Sequence, residues 1–378
     1  MAGVYVHVPF CRRRCVYCDF YSVGERLADW PGYVGAILSE ARKRIPQLSL
    51  RPDHDTTLYI GGGTPSLMPP ECFARLSSGL LELTGGCREF TIEVNPDDVT
   101  GEMGRLWRRC GVTRVSMGVQ SLVDSELRAI GRRHDAATAR RAYDTLRPHF
   151  DNISLDLMFG LPGQTHDSLM NSVKGIVSMN PEHVSAYSLM YEERTALTRL
   201  RDSGRLEETS DDDCNSMFAS LSEALADAGY EQYEISNYAR PGCRSRHNSL
   251  YWQGVPYVGL GPGAHSYDGN RLRTANSPDI RAYMAYWLEG KGDSPADTEK
   301  LGEEELREEM IMTRLRTREG LSLSEYGAAF GRKALELLVK DARKWVDAGK
   351  MEISPDRNRV SLSRTGIMIS DEIMASLF

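Results

Sequence analysis

Cys11, Cys15 and Cys18 stand in the stretch CRRRCVYCDF, spaced C-x3-C-x2-C with ten residues before the first. Thiols gathered this tightly in a chain with no other cysteine pairing pattern bind metal or do redox chemistry more often than they form disulfides. A structural zinc takes four ligands, and no second C-x2-C or H-x3-H pair supplies the remainder. A 4Fe–4S cluster usually takes four thiolates, so three would leave one iron open to an exchangeable ligand. Zinc or another metal stays open as the alternative at this point. Cys72, Cys87, Cys110, Cys214 and Cys243 are scattered without ligand spacing and read as small buried hydrophobes. Arg12, Arg13 and Arg14 either hold an anionic group beside the thiols or form a solvated basic loop, and the sequence assigns them no role.

The elements that position these cysteines alternate regularly. Short apolar or β-branched runs at 4–8, 57–60, 90–94, 114–119, 152–159 and 183–189 predict six strands. Amphipathic stretches near 31–45, 70–84, 101–110, 135–147, 166–178 and 211–228 predict the helices between and after them. Asp211, Asp212 and Asp213 open the last of these, where acids suit the positive end of a helix dipole. Six β-α units imply a parallel sheet with right-handed crossovers, a partial (β/α)6 version of the TIM-like barrel. The residues just beyond the strands are polar and unusual: the cysteines after the first, GGGTPS after the second, NPDD after the third, QS after the fourth and GLPGQT after the fifth. These positions form the rim on which β/α barrels build their sites.

From 229 to about 276 the periodicity fails, in a stretch rich in Gly, Tyr and Asn. Helical patterns resume at 303–317, 322–330 and 333–350, and a hairpin is expected to turn at residues 355–358, which together resemble a winged helix. The chain is therefore read as a partial barrel over 1–228, an aperiodic segment with a connecting helix over 229–299, and a helical, winged-helix-like domain over 300–378. With 378 residues and 41% hydrophobic content, there is ample material for such cores. No run long enough to span a bilayer and no signal-peptide pattern is present, so a cytoplasmic location is expected. A net charge of −7 gives no global attraction to nucleic acid or anionic lipid. The mild basic excess over 332–350 is what a solvated helix face produces, and no nucleic-acid partner is expected.

C-x3-C-x2-C with an aromatic, Tyr17, before the last cysteine resembles the signature of the radical SAM superfamily, which implies a 4Fe–4S cluster on Cys11, Cys15 and Cys18 and S-adenosylmethionine (SAM) at the open iron. GGGTP at 61–65 resembles the loop that holds the methionine amino group. The resemblance implies SAM contacts at Tyr5, Tyr17, Gly62, Gly63, Thr64, Glu93, Gln120, Arg132 and Asp156. YVHVPFC, YIGGGTPS, GVQS, GRRHDA and DLMFGLPGQT together resemble the oxygen-independent coproporphyrinogen dehydrogenase group, which includes haem chaperones, and the likeness covers essentially the whole chain.

Two departures separate the sequence from the dehydrogenase. Phe20 stands where that enzyme has a further cysteine, and with ten residues before Cys11 no counterpart of the enzyme's N-terminal extension is expected. HNSLYW at 247–252 matches the H-N-x-x-Y-W motif of the chaperone branch and implies haem binding by His247, Asn248, Tyr251 and Trp252. The chemistry suits that role, because a neutral imidazole is a common axial ligand and the rings can pack on a macrocycle. His265 is a weaker second candidate. The leading expectation is a carrier that binds cluster, SAM and haem and passes haem to apo-haemoproteins such as respiratory cytochromes. It would touch membranes only transiently or through partners, and the resemblance suggests a homodimer. The alternative is a radical SAM enzyme acting on a porphyrinogen or another substrate.

Overall fold

The computed structural model describes residues 2–48 and 55–378. Six parallel strands run in chain order across the sheet: β1 (Ala2–Val8), β2 (Thr56–Gly62), β3 (Glu89–Val94), β4 (Arg114–Gln120), β5 (Ile153–Phe159) and β6 (His183–Ser188). All six coincide with the sequence expectation, as do helices Trp30–Arg44, Pro70–Thr84, Gly101–Arg109, Ala136–Leu146, His166–Met179 and Asp211–Asp227. β1 and β2 lie in the middle of the sheet and are buried along almost their whole length. Local chemistry sets the helix starts. The side chains of Asp29, Thr165 and Ser210 accept hydrogen bonds from the Gly32, Ser168 and Asp213 amides.

The stretch that looked aperiodic extends this sheet at both edges. Strands Asn237–Ala239 and Glu231–Glu234 add antiparallel beside β6. On the other side, Tyr257–Leu260 lies parallel to β1 and is followed outward by His265–Tyr267, Leu272–Asn276 and Ala296–Lys300, giving twelve strands in all. Its strands of three to five residues are too short to show a period. The same brevity hid helices Asp124–Ala129 and Ala196–Asp202. The result is an α/β partial barrel with a mostly parallel sheet.

The C-terminal part has its own core, centred on Ile311, Leu315, Tyr326, Leu338 and Val360. Helix Glu303–Leu315, strand Leu321–Ser322, a helix pair over Leu323–Asp347 and the hairpin of Met351–Ile353 with Arg359–Leu362 follow the order of a winged helix. The pair is broken at Gly331, whose φ of 85° and ψ of 170° interrupt the helical backbone. Two arginines tie this part to helix Arg246–Trp252. Arg314 donates to the carbonyls of Trp252 and Gln253, each at 2.8 Å, and Arg316 lies over the Trp252 ring while pairing with Glu234 at 3.0 Å. No helix among the described residues is long and apolar enough to cross a membrane.

Candidate functional site

The rim of the parallel strands encloses a cavity of about 610 Å³. Cys11 follows β1, and Cys15 and Cys18 lie in the loop behind it; all three half-buried thiols line the cavity. Burial raises the Cys11 and Cys18 thiol pKa values above the ordinary range, so an anion there needs a cationic partner such as a metal. Among the described residues, no three His, Cys, Asp or Glu side chains close around a single ion. A cubane cluster takes its thiolates one per iron, so these thiols need not meet at a point.

The glycines beside them are required by space. A Cβ on Gly63 would come within 2.9 Å of Cys11 Sγ and of the Phe10 and Val8 carbonyls. Gly62 has φ of +108°, and a Cβ there would meet the His7 ring at 2.7 Å. The loop backbone is thus pressed directly against the first thiol, and Thr64 Oγ1 donates to Cys11 Sγ at 3.5 Å. Glu93 fixes the loop from below, accepting from the Gly62 amide at 2.9 Å and the Tyr59 hydroxyl at 2.8 Å.

Gln120 reaches the cavity through a strained backbone. It is a non-glycine residue at φ 66°, where the pairing of β4 with β5 shifts register between Gly118 and Gln120. A Cβ on Gly118 would meet Gln120 Nε2 at 2.9 Å and Arg132 Nη2 at 3.1 Å, so that glycine makes room for both side chains. Arg132 donates to the Asn95 side chain at 2.8 Å, to the Gly118 carbonyl at 2.5 Å and to Cys15 Sγ at 3.6 Å. A fixed guanidinium therefore faces the middle thiol.

The floor is polar. Asp156 accepts from Ser116 at 3.2 Å and Ser154 at 3.4 Å, and burial pushes its pKa up to about 6. Burial likewise raises Glu93 to about 7, against the opposing effect of its bonds from Tyr59 and Gly62. Between these carboxyls the lining includes Arg114, which is 1% exposed and whose Nε and Nη1 have no hydrogen-bond partner. Such an orphaned buried donor pair is costly unless an anionic group within the cavity completes it. Three thiols, a close-approach glycine loop and unsatisfied cationic donors fit an iron–sulfur cluster with a carboxylate-bearing ligand.

Eight of the nine residues expected to contact SAM line this cavity. Tyr5 does not; it lies behind Tyr59, its hydroxyl hydrogen-bonded with His7 Nδ1 at 3.1 Å. Arg114, Tyr59 and Asn95 were not anticipated. A signal for Arg114 existed in the alternation of RVSMGVQ, whose first, third, fifth and seventh residues all face the cavity.

The four residues of the HNSLYW motif separate. Asn248 lines the cavity, whereas His247, Tyr251 and Trp252 do not. His247 is 1% exposed in the helix that plugs the barrel from below. Its Nδ1 is hydrogen-bonded with Thr57 Oγ1 at 2.7 Å and its Nε2 with Tyr251 Oη at 2.9 Å, and its ring packs on Tyr59. Burial drives its pKa down to about 3, keeping the imidazole neutral. Trp252 lies under Arg316, and His265 is exposed on an outer strand.

Comparison with known proteins bears on both motifs. Residues 5–175 match the model of the radical SAM superfamily, and residues 301–369 match the HemN C-terminal domain. The chain is similar to a heme chaperone HemW of Bacillus subtilis, at 34% identity over 100% of this chain and 99% of that protein. It is also 34% identical to a heme chaperone HemW of Mycobacterium tuberculosis, over 99% of this chain and 94% of that one. Among solved structures, the coproporphyrinogen III oxidase HemN of Escherichia coli, a radical SAM enzyme, shares the fold. Its TM-score is 0.82 over 100% of this chain and 89% of that one, at 20% identity.

Proposed function

The chain belongs to the HemW haem chaperone family within the radical SAM superfamily, and from that premise we propose that it binds a 4Fe–4S cluster, SAM and haem and delivers haem to apo-haemoproteins. The observation that supports this reading best is the convergence of three thiols, the GGGTP loop, Gln120 and Arg132 on one cavity. When bound to three thiolates, such a cluster keeps one iron available for the amino and carboxylate groups of SAM. Cys11, Cys15 and Cys18 would hold the cluster. Gly62, Gly63 and Thr64 would approach the ligand with backbone groups, and Glu93 holds their loop in place. Arg132 neutralises charge beside Cys15, while Tyr17, Gln120 and Asp156 complete the ligand-facing wall. Tyr5 would act behind Tyr59 as a support.

Haem is cargo in this reading, and respiratory cytochromes are the proposed clients. The protein would work in the cytoplasm, as a homodimer, meeting a membrane only transiently or through its partners. Coordination of haem iron by His247 requires a change from the structure described: Tyr251 must release Nε2, and helix Arg246–Trp252 must move outward. The intact SAM-side wall also supports the second reading, a radical SAM enzyme with another substrate.

The test is an anaerobic haem titration of the cluster-reconstituted protein, followed by transfer to an apo-cytochrome. Saturable binding with a Soret shift, and cytochrome reconstitution faster than with free haem, is the expected result. Absence of specific binding would sink the carrier reading and turn attention to SAM-dependent turnover.

A further inference from the structure

The floor of the cavity is polar, but its mouth is not. Phe20 is 68% exposed, Met190 66% and Tyr187 41%, and all three line the cavity. Large apolar side chains left in water at the edge of a pocket mark a contact surface.

Their exposure is built in. Leu189 and Tyr191 turn inward and pack with Val16 and Tyr17 of the cysteine loop, alongside Ile130 and Leu197. The Leu197 amide donates to the Val16 carbonyl at 2.9 Å, so the two segments are fastened together. Met190, between two inward-facing neighbours, is held outward. On the opposing segment, Arg14 donates to the carbonyls of Cys18 at 3.1 Å and Phe20 at 3.5 Å, fixing the turn that presents the Phe20 ring.

The charges beside this rim are also unequal. Arg12 is engaged by Glu25 and Asp98. Arg13 lines the same cavity, and among the described residues it makes no ion pair or hydrogen bond. Asp19 and Glu192 share the lining, which directs an anionic edge toward the arginines.

We propose that haem docks across this mouth, its macrocycle on Phe20, Tyr187 and Met190, its carboxylates toward Arg13 and Arg14, and its iron ligated by the Met190 thioether. The site deepens the carrier reading and rests on it. A planar apolar ring with carboxylates at one edge and a sulfur-tolerant metal at its centre matches all three features, and Met is an established haem ligand type. SAM alone would not need the exposed aromatic and thioether surface, and the polar floor beneath suits it better. Met190 is the thioether that stands exposed at this mouth, held outward by its two inward-facing neighbours.

The experiment uses the full-length, cluster-reconstituted protein under anaerobic conditions, titrated with haem and separately with metal-free protoporphyrin IX. Phe20→Glu and Met190→Glu are expected to weaken haem binding at least tenfold, with cluster content, SAM binding and thermal unfolding at wild-type values. Met190→Leu is expected to keep protoporphyrin affinity within about twofold but change the ferrous absorption spectrum from that of the wild-type haem complex. An unchanged spectrum in Met190→Leu overturns thioether ligation, and its loss in His247→Ala would then assign the ligand to the helix below. If wild type binds haem and both Glu variants bind it equally well, the rim site is overturned. Should those variants instead dissociate a dimer in sedimentation, the rim is a contact between copies and the proposal likewise fails. A wild type that binds no haem removes the carrier reading itself, an outcome distinct from all of these.

Discussion

Cys11, Cys15 and Cys18 are half-buried in a loop with few internal bonds, whereas His247 is sealed in the barrel floor with both ring nitrogens engaged and aromatic rings around it. Both segments carry a binding motif, yet one is poised for a ligand and the other is packed as structure. The cysteine loop leaves its chemistry unsatisfied: burial raises the Cys11 and Cys18 thiols, and no carboxylate or imidazole closes a site around them among the described residues. His247 has its own satisfied at both ring nitrogens, and its helix takes its first amides to Glu89, which accepts from Arg246 and His247 at 3.0 and 2.9 Å. Ligand-binding loops are drawn from the less stable parts of a fold, and here that expectation separates the two motifs.

The sharpest test of the open half is Cys15→Ala. Removing one of three thiols should abolish reconstitution of the cluster, read as loss of its visible absorption and of the reduced-state EPR signal, while apo-protein unfolding changes by less than about 1 kcal/mol. A variant that still assembles a full cluster would return the spacing to one of its other readings.

The sealed half should respond in the opposite sense. His247→Ala removes a packed ring and strands the Thr57 and Tyr251 hydroxyls, a loss of about 3–5 kcal/mol in denaturant unfolding of the apo protein. A near-neutral effect would break the comparison, showing that the histidine is loosely held. The consequence for function is practical: loss of haem binding in His247→Ala is interpretable only beside this stability measurement.

Between the two lies Glu93, which belongs to the floor but holds the glycine loop. Its folded pKa of about 7 exceeds the unfolded value near 4.3, so the folded state binds the extra proton. Its contribution to stability is therefore fully present below about pH 4 and is lost as pH rises toward 7. Apo-protein stability should fall by on the order of 3 kcal/mol across that window, with Asp156 adding to the slope below pH 6. Glu93→Gln should flatten the profile and weaken SAM binding by isothermal titration. An unchanged slope would mean that Arg114, rather than protonation, balances the carboxyl.

How legible all this was in the sequence depends on the same contrast. The six parallel strands and their helices repeat a pattern long enough for periodicity to reveal, and the cysteine spacing encodes a local geometry that needs no tertiary partner. Gln120 and Arg132 are picked out in sequence by their place at and beyond the end of β4, and both line the cavity, but the bulge that aims Gln120 and the Gly118 gap that admits both are visible only in three dimensions. Arg114 went unnoticed because a charged residue opening a strand reads as an exposed end. The HNSLYW motif was found readily, while its burial was not: the floor is assembled from Thr57, Tyr59 and Glu89, all about 160 residues or more away in the chain. The edge strands between 231 and 300 were missed for lack of length.

The smallest change probes the seal itself. Tyr251→Phe deletes the one hydroxyl bonded to His247 Nε2 and leaves the ring, which stands edge-on to both His247 and Tyr257. The lost bond should cost about 1 kcal/mol, too little to unfold the floor. If His247 serves haem after the helix moves, freeing Nε2 lowers the opening cost, and haem affinity should rise by about fivefold for that 1 kcal/mol. If haem sits on the rim, affinity and spectrum should stay as in wild type, because the floor takes no part. One titration of this variant therefore decides whether the packed half of the molecule is a closed door to haem or only the base on which the open half stands.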